Sequence, residues 1–262
     1  MPTVPNLNVE QRGILTLIEL ACPATGNALS AELISDLGNA LASLPPRARA
    51  VVLTGRGRHF CTGADLGELA ATIDAPVEEH EAEAARLAAV YAQLLRCPLL
   101  TIAAVRGAAY GGGAGLAASC DVVVAAPDAR FQFSEVRLGF VPALISTFLS
   151  RRVMPAVLAR AFLDPAPLDA VAAQAIGLVD EVTDDPLGRA VERATEIGRK
   201  AAPSALAETK RLLLAAALPH LDDNLAAAVR SNARQRVHPD CRRGVAAFLA
   251  SHSFPDWLKE EA

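Results

Sequence analysis

Arg106-Gly107-Ala108-Ala109-Tyr110-Gly111-Gly112-Gly113-Ala114-Gly115-Leu116 is the stretch whose reading decides the fold. The apolar run Leu99 to Val105 predicts a buried strand leading into it, and the Ala-rich segment from about Ala114 to Ser119 predicts a helix leading out. Three consecutive glycines let the chain turn sharply and let a ligand come close to the backbone. A helix that opens there presents unpaired N–H groups and a partial positive charge, which suits an anion or an oxygen that becomes one during reaction. No Lys-Ser/Thr pair follows and G-x-G-x-x-G is absent, so neither a P-loop nor a dinucleotide fingerprint is present. By itself the stretch is equally a strand–helix turn that holds nothing.

Working outward, Ala50-Val51-Val52-Leu53-Thr54-Gly55 reads as a second buried strand that runs on into Cys61-Thr62-Gly63-Ala64-Asp65-Leu66. After the glycine helix, Cys120 to Ala125 reads as a third, followed by Phe133-Ser134-Glu135-Val136-Arg137-Leu138-Gly139. With Asn27-Ala28-Leu29-Ser30 near the start, four motifs in this order and at these spacings resemble the crotonase (enoyl-CoA hydratase/isomerase) superfamily over essentially the whole chain. In motif the chain is most similar to bacterial 3-methylglutaconyl-CoA hydratase-like members. The resemblance implies an α/β fold, a ββα spiral core over residues 1–185 and a C-terminal helical oligomerisation region over 186–262, assembled as a homotrimer or a dimer of trimers.

Composition agrees with one large, well-packed α/β protein. The 262 residues are 52% hydrophobic and only 4% aromatic, with Ala abundant. A net charge of -4 offers no basic face for nucleic acid, and no apolar run approaches the roughly 20 residues of a bilayer span. The N-terminus lacks the charged-then-apolar layout of a signal peptide, so the expected location is cytoplasmic. Five cysteines at irregular spacing and five histidines without ligand spacing predict neither a disulfide framework nor a metal site. Cys61 beside the second motif reads as an apolar filler before it reads as a nucleophile. His59 reads as a turn residue.

Strands alternate with helices from about residue 10 to 185, which predicts crossover units and parallel pairing. A strand is expected over 13–20, and a helix capped by Ser30 with Leu33, Ile34, Leu37 and Leu41 inward. A long Ala/Glu helix is expected over 78–95, with Leu87, Val90, Tyr91 and Leu94 on one face. The acidic cluster from Glu78 to Glu83 reads as its solvated first turn. From Pro186 onward only helices are expected, over 187–201, 204–218, 222–237 and 241–250.

The resemblance implies that the site polarises an acyl thioester. Backbone N–H groups of Ala64 and Gly112 would hydrogen-bond the thioester oxygen and stabilise the enolate. Ala28, Ala64, Asp65, Leu66 and Gly112 would line the thioester's binding site; Asp65 itself reads as a helix N-cap rather than an acid. Two-glutamate hydratases of the superfamily carry one Glu just after the triple glycine and another twenty residues on. In this chain the first position is Gly115 and the second is Glu135. Glu135 is thus the single candidate acid/base, expected in an apolar pocket with a raised pKa.

One glutamate is compatible with three activities. It could hydrate or dehydrate a branched, carboxylate-bearing enoyl thioester of the 3-methylglutaconyl type, or a hydroxymethylglutaryl group on a carrier protein. It could move a double bond as an isomerase, or belong to a non-catalytic acyl-CoA-binding protein. Arg137 and Arg152 are candidates to hold the substrate's carboxylate, and Arg56, Arg58 or Lys259 to meet the CoA phosphates. The acyl-CoA thioester is substrate; no metal or other cofactor is expected.

Overall fold

A computed structural model describes residues 6–258. Lys259, one of the candidate phosphate contacts, lies outside them. The chain runs β1 (Leu7–Arg12), β2 (Leu15–Leu20), α1 (Ala31–Ala42), β3 (Ala50–Gly55), α2 (Leu66–Ala71), α3 (Val77–Arg96), β4 (Leu100–Val105), β5 (Ala108–Tyr110), α4 (Gly112–Ser119), β6 (Val122–Ala125) and β7 (Arg130–Gln132). It continues through α5 (Ala143–Ser146), α6 (Pro155–Leu163), β8 (Leu168–Asp169), α7 (Ala170–Ala175) and β9 (Glu181–Val182). Four helices close it: α8 (Pro186–Lys200), α9 (Pro203–Ala217), α10 (Leu221–Arg236) and α11 (Pro239–Ser251).

Six strands form one sheet in the order β1-β2-β3-β4-β6-β9, and β5-β7-β8 form a second. Every neighbouring pair in the large sheet is parallel except β1–β2, a hairpin antiparallel from Leu7↔Leu20 to Arg12↔Leu15. The expected parallel pairing therefore holds for the crossover strands. β1 escapes the sequence reading because, after the buried Leu7, its residues alternate between exposed and partly buried at the sheet edge and include Glu10 and Arg12. The short strands of the second sheet escape it because two or three residues are too few to show a period.

β3 and β4 read as unbroken apolar runs because both faces of the sheet are covered. Val51, Leu53, Ala103, Val105 and Val123 face one core, together with α1, α3 and α4. Ala50, Val52, Ile102, Ala104 and Val124 face the other, closed by Ala190 and Ala194 of α8. Successive residues point to opposite faces, so one strand feeds both cores.

The all-helical segment opens with α8 at Pro186, and its later helices pack onto the main core. The main core includes Leu218, Leu221, Leu225 and Ala228 beside residues from β1 to β6. Cys241 and Val245 of α11 pack on Leu69 of α2. α10 and α11 thus lie over the chain's own core. α9 is different: it buries none of its residues, and its Leu212 and Leu213 are 54% and 65% exposed. Among the described residues no single helix is long and apolar enough to cross a membrane.

Candidate active site

Two loops are zipped together at the C-terminal ends of β3 and β4. The Phe60 amide donates to Arg106 O at 2.9 Å, the Cys61 amide to Ala108 O at 3.0 Å, and the Tyr110 amide to Cys61 O at 3.0 Å. The glycines are needed where these loops touch. Gly63 has φ +93°, and a Cβ there would stand 2.8 Å from Tyr110 O. A Cβ on Gly113 would overlap the Cys61 carbonyl. Gly111, at φ 47° and ψ −117°, turns the chain from β5 into α4 in a region that side chains avoid.

This clamp brings the loop that carries Ala64 against the start of α4. The carbon that a side chain on Gly63 would add lies 3.8 Å from Gly112 N. Gly112 is the first residue of α4, so its N–H has no intrahelical acceptor. Among the described residues neither amide donates to any partner. Two free amides in a sheltered cleft are what a developing oxyanion requires.

A third loop completes the mouth. Leu29 bridges Ala64, with its amide donating to Gly63 O at 2.8 Å. Asn27, wholly buried at φ 57°, ties the neighbouring turns together. Its Nδ2 donates to Arg56 O at 3.0 Å and His59 O at 2.8 Å, and its Oδ1 accepts from the Cys22 amide at 2.9 Å. Asp65 caps α2, accepting from the Gly67 and Glu68 amides at 2.9 and 3.1 Å. His59 holds the turn, its Nδ1 accepting from the Ala108 amide at 3.0 Å.

Glu135 arrives from the second sheet. β7 pairs with β5 in parallel, and Gln132 O accepts from the Gly111 amide at 2.8 Å, so the residues after β7 are delivered to the glycine turn. The Glu135 Oε1 lies 3.0 Å from where a Cβ on Gly111 would sit; the missing side chain makes room for the carboxylate. Its Oε2 is sealed from solvent without a hydrogen-bond partner. Burial pushes its pKa up to about 7, against a smaller opposing effect of its own backbone amide.

Glu135, Ala64, Gly112, Ala28, Asp65 and Leu66 all line one cavity of about 640 Å³. The structure also brings residues there that the sequence reading did not assign to the site. Tyr91 and Leu87 enter from α3, Ile145 from α5, Arg236 from α10 and Phe254 from the segment after α11. Tyr91 was legible only as part of an apolar helix face. A tyrosine on such a face signals a buried hydroxyl in need of a partner, and its Oη donates to Gly112 O at 2.9 Å.

Position 115 is closed as well as uncharged. A Cβ there would overlap Ile145 Cγ2 and stand 3.0 Å from the Tyr91 Oη. Ile145 belongs to the short helix α5, and its side chain occupies the room a residue-115 carboxylate would need.

Several candidates fall elsewhere. Arg152 spends its guanidinium on the carbonyls of Ala118, Cys120 and Asp121 and on Asp180, so it braces the end of α4. Arg137 lies 3.8 Å over the Phe254 ring and accepts the Trp257 indole N–H through its carbonyl. Arg56 is paired with Glu19 at 2.7 Å. Within the acidic cluster, Glu83 is not a solvated charge: it pairs with the buried Arg236. Cys61 is wholly buried, and burial pushes its thiol up to about 12.

The fold and the site have relatives. The sequence model of the family described as Enoyl-CoA hydratase/isomerase matches residues 10–259. A Thermus thermophilus protein that carries an enoyl-CoA hydratase name is 38% identical over 244 residues, 91% of this chain and 96% of the relative. A Rhodobacter capsulatus protein named in the same way is 37% identical over 238 residues, 90% of this chain and 91% of its own. The crystal structure of an enoyl-CoA hydratase from Mycobacterium avium superposes with a TM-score of 0.85 at 30% identity, covering 97% of this chain and 99% of that one. The clamped glycine turn, the buried glutamate beside it and a match spanning nearly the whole chain lead to one statement: the chain belongs to the enoyl-CoA hydratase/isomerase family, the crotonase superfamily, and is an enzyme of that family.

Proposed function

We propose that the protein hydrates an enoyl thioester, or dehydrates the corresponding 3-hydroxyacyl thioester, with Glu135 as its sole acid/base. The observation that carries this reading is the pairing of a sealed, neutral-prone Glu135 with a closed, uncharged position 115. In this reading the thioester oxygen takes hydrogen bonds from the Ala64 and Gly112 amides. The ionised Glu135 removes one proton from water as the water oxygen bonds C3 and the double-bond pair moves toward the thioester oxygen. The protonated Glu135 then returns that proton to C2. A group poised near neutrality can do both, because neither form is much favoured at working pH. No step calls on a metal or a redox group.

The substrate in this reading is a branched enoyl thioester with a distal carboxylate, of the 3-methylglutaconyl type. Arg86 supports it: it is exposed, lines the cavity beside Leu87, and has no hydrogen-bond or ion-pair partner among the described residues. It can take the role for which Arg137 and Arg152 are engaged elsewhere. The unburied α9 with Leu212 and Leu213 supports assembly as a homotrimer or a dimer of trimers.

Mass spectrometry of 3-methylglutaconyl-CoA, crotonyl-CoA and a 3-enoyl-CoA incubated with the protein in D₂O tests the function. Addition of water to the branched acid, abolished by Glu135→Gln, is the expected result. Bond migration with deuterium exchange and no added water overturns the reading in favour of an isomerase. Binding without any change overturns it in favour of a non-catalytic acyl-CoA-binding protein.

A further inference from the structure

Arg151 carries a charge that the fold leaves without a counter-ion. It lies in the turn between α5 and α6, and its Nη2 donates to Ala118 O at 2.8 Å and Cys120 O at 3.0 Å. Its Nε is sealed from solvent with no hydrogen-bond partner. Among the described residues Arg151 forms no ion pair; Asp180 is taken by Arg152 at 3.1 Å and Asp121 by Lys210 at 2.5 Å. Burial and the adjacent Arg152 lower its pKa, but a guanidinium keeps its charge at any working pH. Desolvating a cation without a paired anion is expensive. Satisfying the carbonyls at a helix end requires only a neutral donor, so capping alone does not call for this charge.

The charge faces the far end of α4. Gly112 opens that helix, Ala118 and Ser119 close it, and every residue from Gly113 to Ser119 is buried. The guanidinium thus stands at one end of a short helix and the free Gly112 amide at the other. Eight residues at the helical rise put the two ends about 12 Å apart. Ala114, Leu116, Ala117 and Ala118 belong to the main apolar core, where a charge is screened far less than in water.

We propose that Arg151 is a positioning residue for the oxyanion site: its unpaired charge, set behind α4, strengthens the hold of the Gly112 end on the enolate oxygen. This rests on the oxyanion part of the reading above, with Ala64 and Gly112 as donors, and not on the choice between hydration and isomerisation. When Glu135 takes a C2 proton, the C2–H electron pair moves toward the thioester oxygen, which gains negative charge. The cation attracts that charge from beyond the helix C-terminus. By holding the last carbonyls it also polarises the hydrogen bonds of α4 in the same direction. Both effects favour the enolate over the neutral thioester. Arg151 itself exchanges no proton.

A different role would be to brace the end of α4 through hydrogen bonds alone. The two roles separate by what a replacement keeps. Arg151→Lys keeps the charge and loses the planar fork of donors. Citrulline placed at position 151 keeps the planar shape and an amide donor, and loses the charge.

The experiment follows exchange of the C2 hydrogen of butyryl-CoA in D₂O. It also reads the infrared carbonyl stretch of bound butyryl-CoA, ¹³C-labelled at the thioester carbon. With citrulline the exchange rate should fall about fivefold, the worth of a unit charge about 15 Å away at an effective dielectric of about 20. The bound carbonyl should shift back toward its frequency in free butyryl-CoA, because less charge is drawn onto the oxygen. Arg151→Lys should stay within about twofold of wild type, with the carbonyl where wild type puts it. The reverse order, with Arg151→Lys slow and citrulline at the wild-type rate, would overturn the proposal and leave Arg151 as a hydrogen-bonded brace. Equal losses in both, or none in either, would overturn it too.

If Arg151→Lys does not fold, the citrulline protein decides alone. A slower exchange with a shifted carbonyl supports the proposal, and a wild-type rate and frequency contradict it. A wild type that leaves the bound carbonyl at its free frequency defeats the oxyanion reading itself, a result visible before any variant is made.

Discussion

Ile145 fills the space into which a side chain at Gly115 would grow: a Cβ added there would overlap the isoleucine's Cγ2. The site is therefore not a two-carboxylate site that has lost one group. Beside the glycine turn it holds Glu135, and Ile145 and the Tyr91 ring fill the space at position 115.

Gly115→Glu consequently does not create a second acid/base. The new side chain collides with Ile145 and Tyr91, and a charge would be buried without a partner. Overpacking of this kind costs about 1–3 kcal/mol before any charge is counted. Thermal unfolding should show a clear loss of stability, with hydration reduced. A stable variant with faster hydration would show that position 115 is open in solution.

The buried carboxylate of Glu135 has a measurable cost. Its pKa is raised from 4.5 to about 7 in the folded chain. The folded state thus keeps a proton that the unfolded state has released between those values, and stability falls as pH rises through that window. Below pH 4.5 both states are protonated and the penalty vanishes; above 7 it is complete. Glu135→Gln should match wild type near pH 4 and exceed it at pH 8, by up to about 3 kcal/mol for a shift of this size. Chemical denaturation at the two pH values measures it, and a stability difference independent of pH would contradict burial of the ionised carboxylate as its cause.

Cys61 lies under the glycine turn with its thiol pushed up to about 12. A thiol so far from ionisation is inert as a nucleophile at neutral pH. Treating the folded protein with iodoacetamide at pH 8 should leave Cys61 unmodified by peptide mapping and catalysis intact. Rapid loss of activity that tracks Cys61 alkylation would restore it as a nucleophile.

α9 presents Leu212 and Leu213 to solvent on a helix with no buried residue. Sedimentation should show an oligomer, and a Leu212→Glu/Leu213→Glu double variant should shift it toward smaller species. An unmodified chain that sediments as a monomer would contradict assembly through this face.

Much of the fold and the site is legible in the residues, and the parts that are not share a cause. The glycine turn, the β3–loop–α2 passage and the Asp65 cap follow from local chemistry, because glycine, an N-cap and an apolar strand declare themselves within a few residues; Glu135 is singled out by the family resemblance. Tyr91, Ile145 and Arg236 declare themselves in neither way. Each lies on an unremarkable helix and becomes part of the site only because α3, α5 and α10 converge on it. Glu83 misleads for the same reason: its partner Arg236 is distant in sequence, and an acidic first turn looks solvated until α10 is laid across it. Arg152 misleads in the opposite sense. A cation in a loop near the site suggests a ligand contact, whereas it satisfies the terminal carbonyls of α4.

The dependence of kcat/KM for hydration on pH tests the central claim, that one carboxylate moves both protons, most directly. Two carboxylates sharing the work, one ionised and one protonated, give a bell. Glu135 acting alone must begin each turnover ionised, so kcat/KM should rise about tenfold per pH unit below 7 and level off above it, with no acidic group to lose on the alkaline side. A bell-shaped profile with two carboxylate limbs, or a rate indifferent to pH across 5 to 8, would contradict the account.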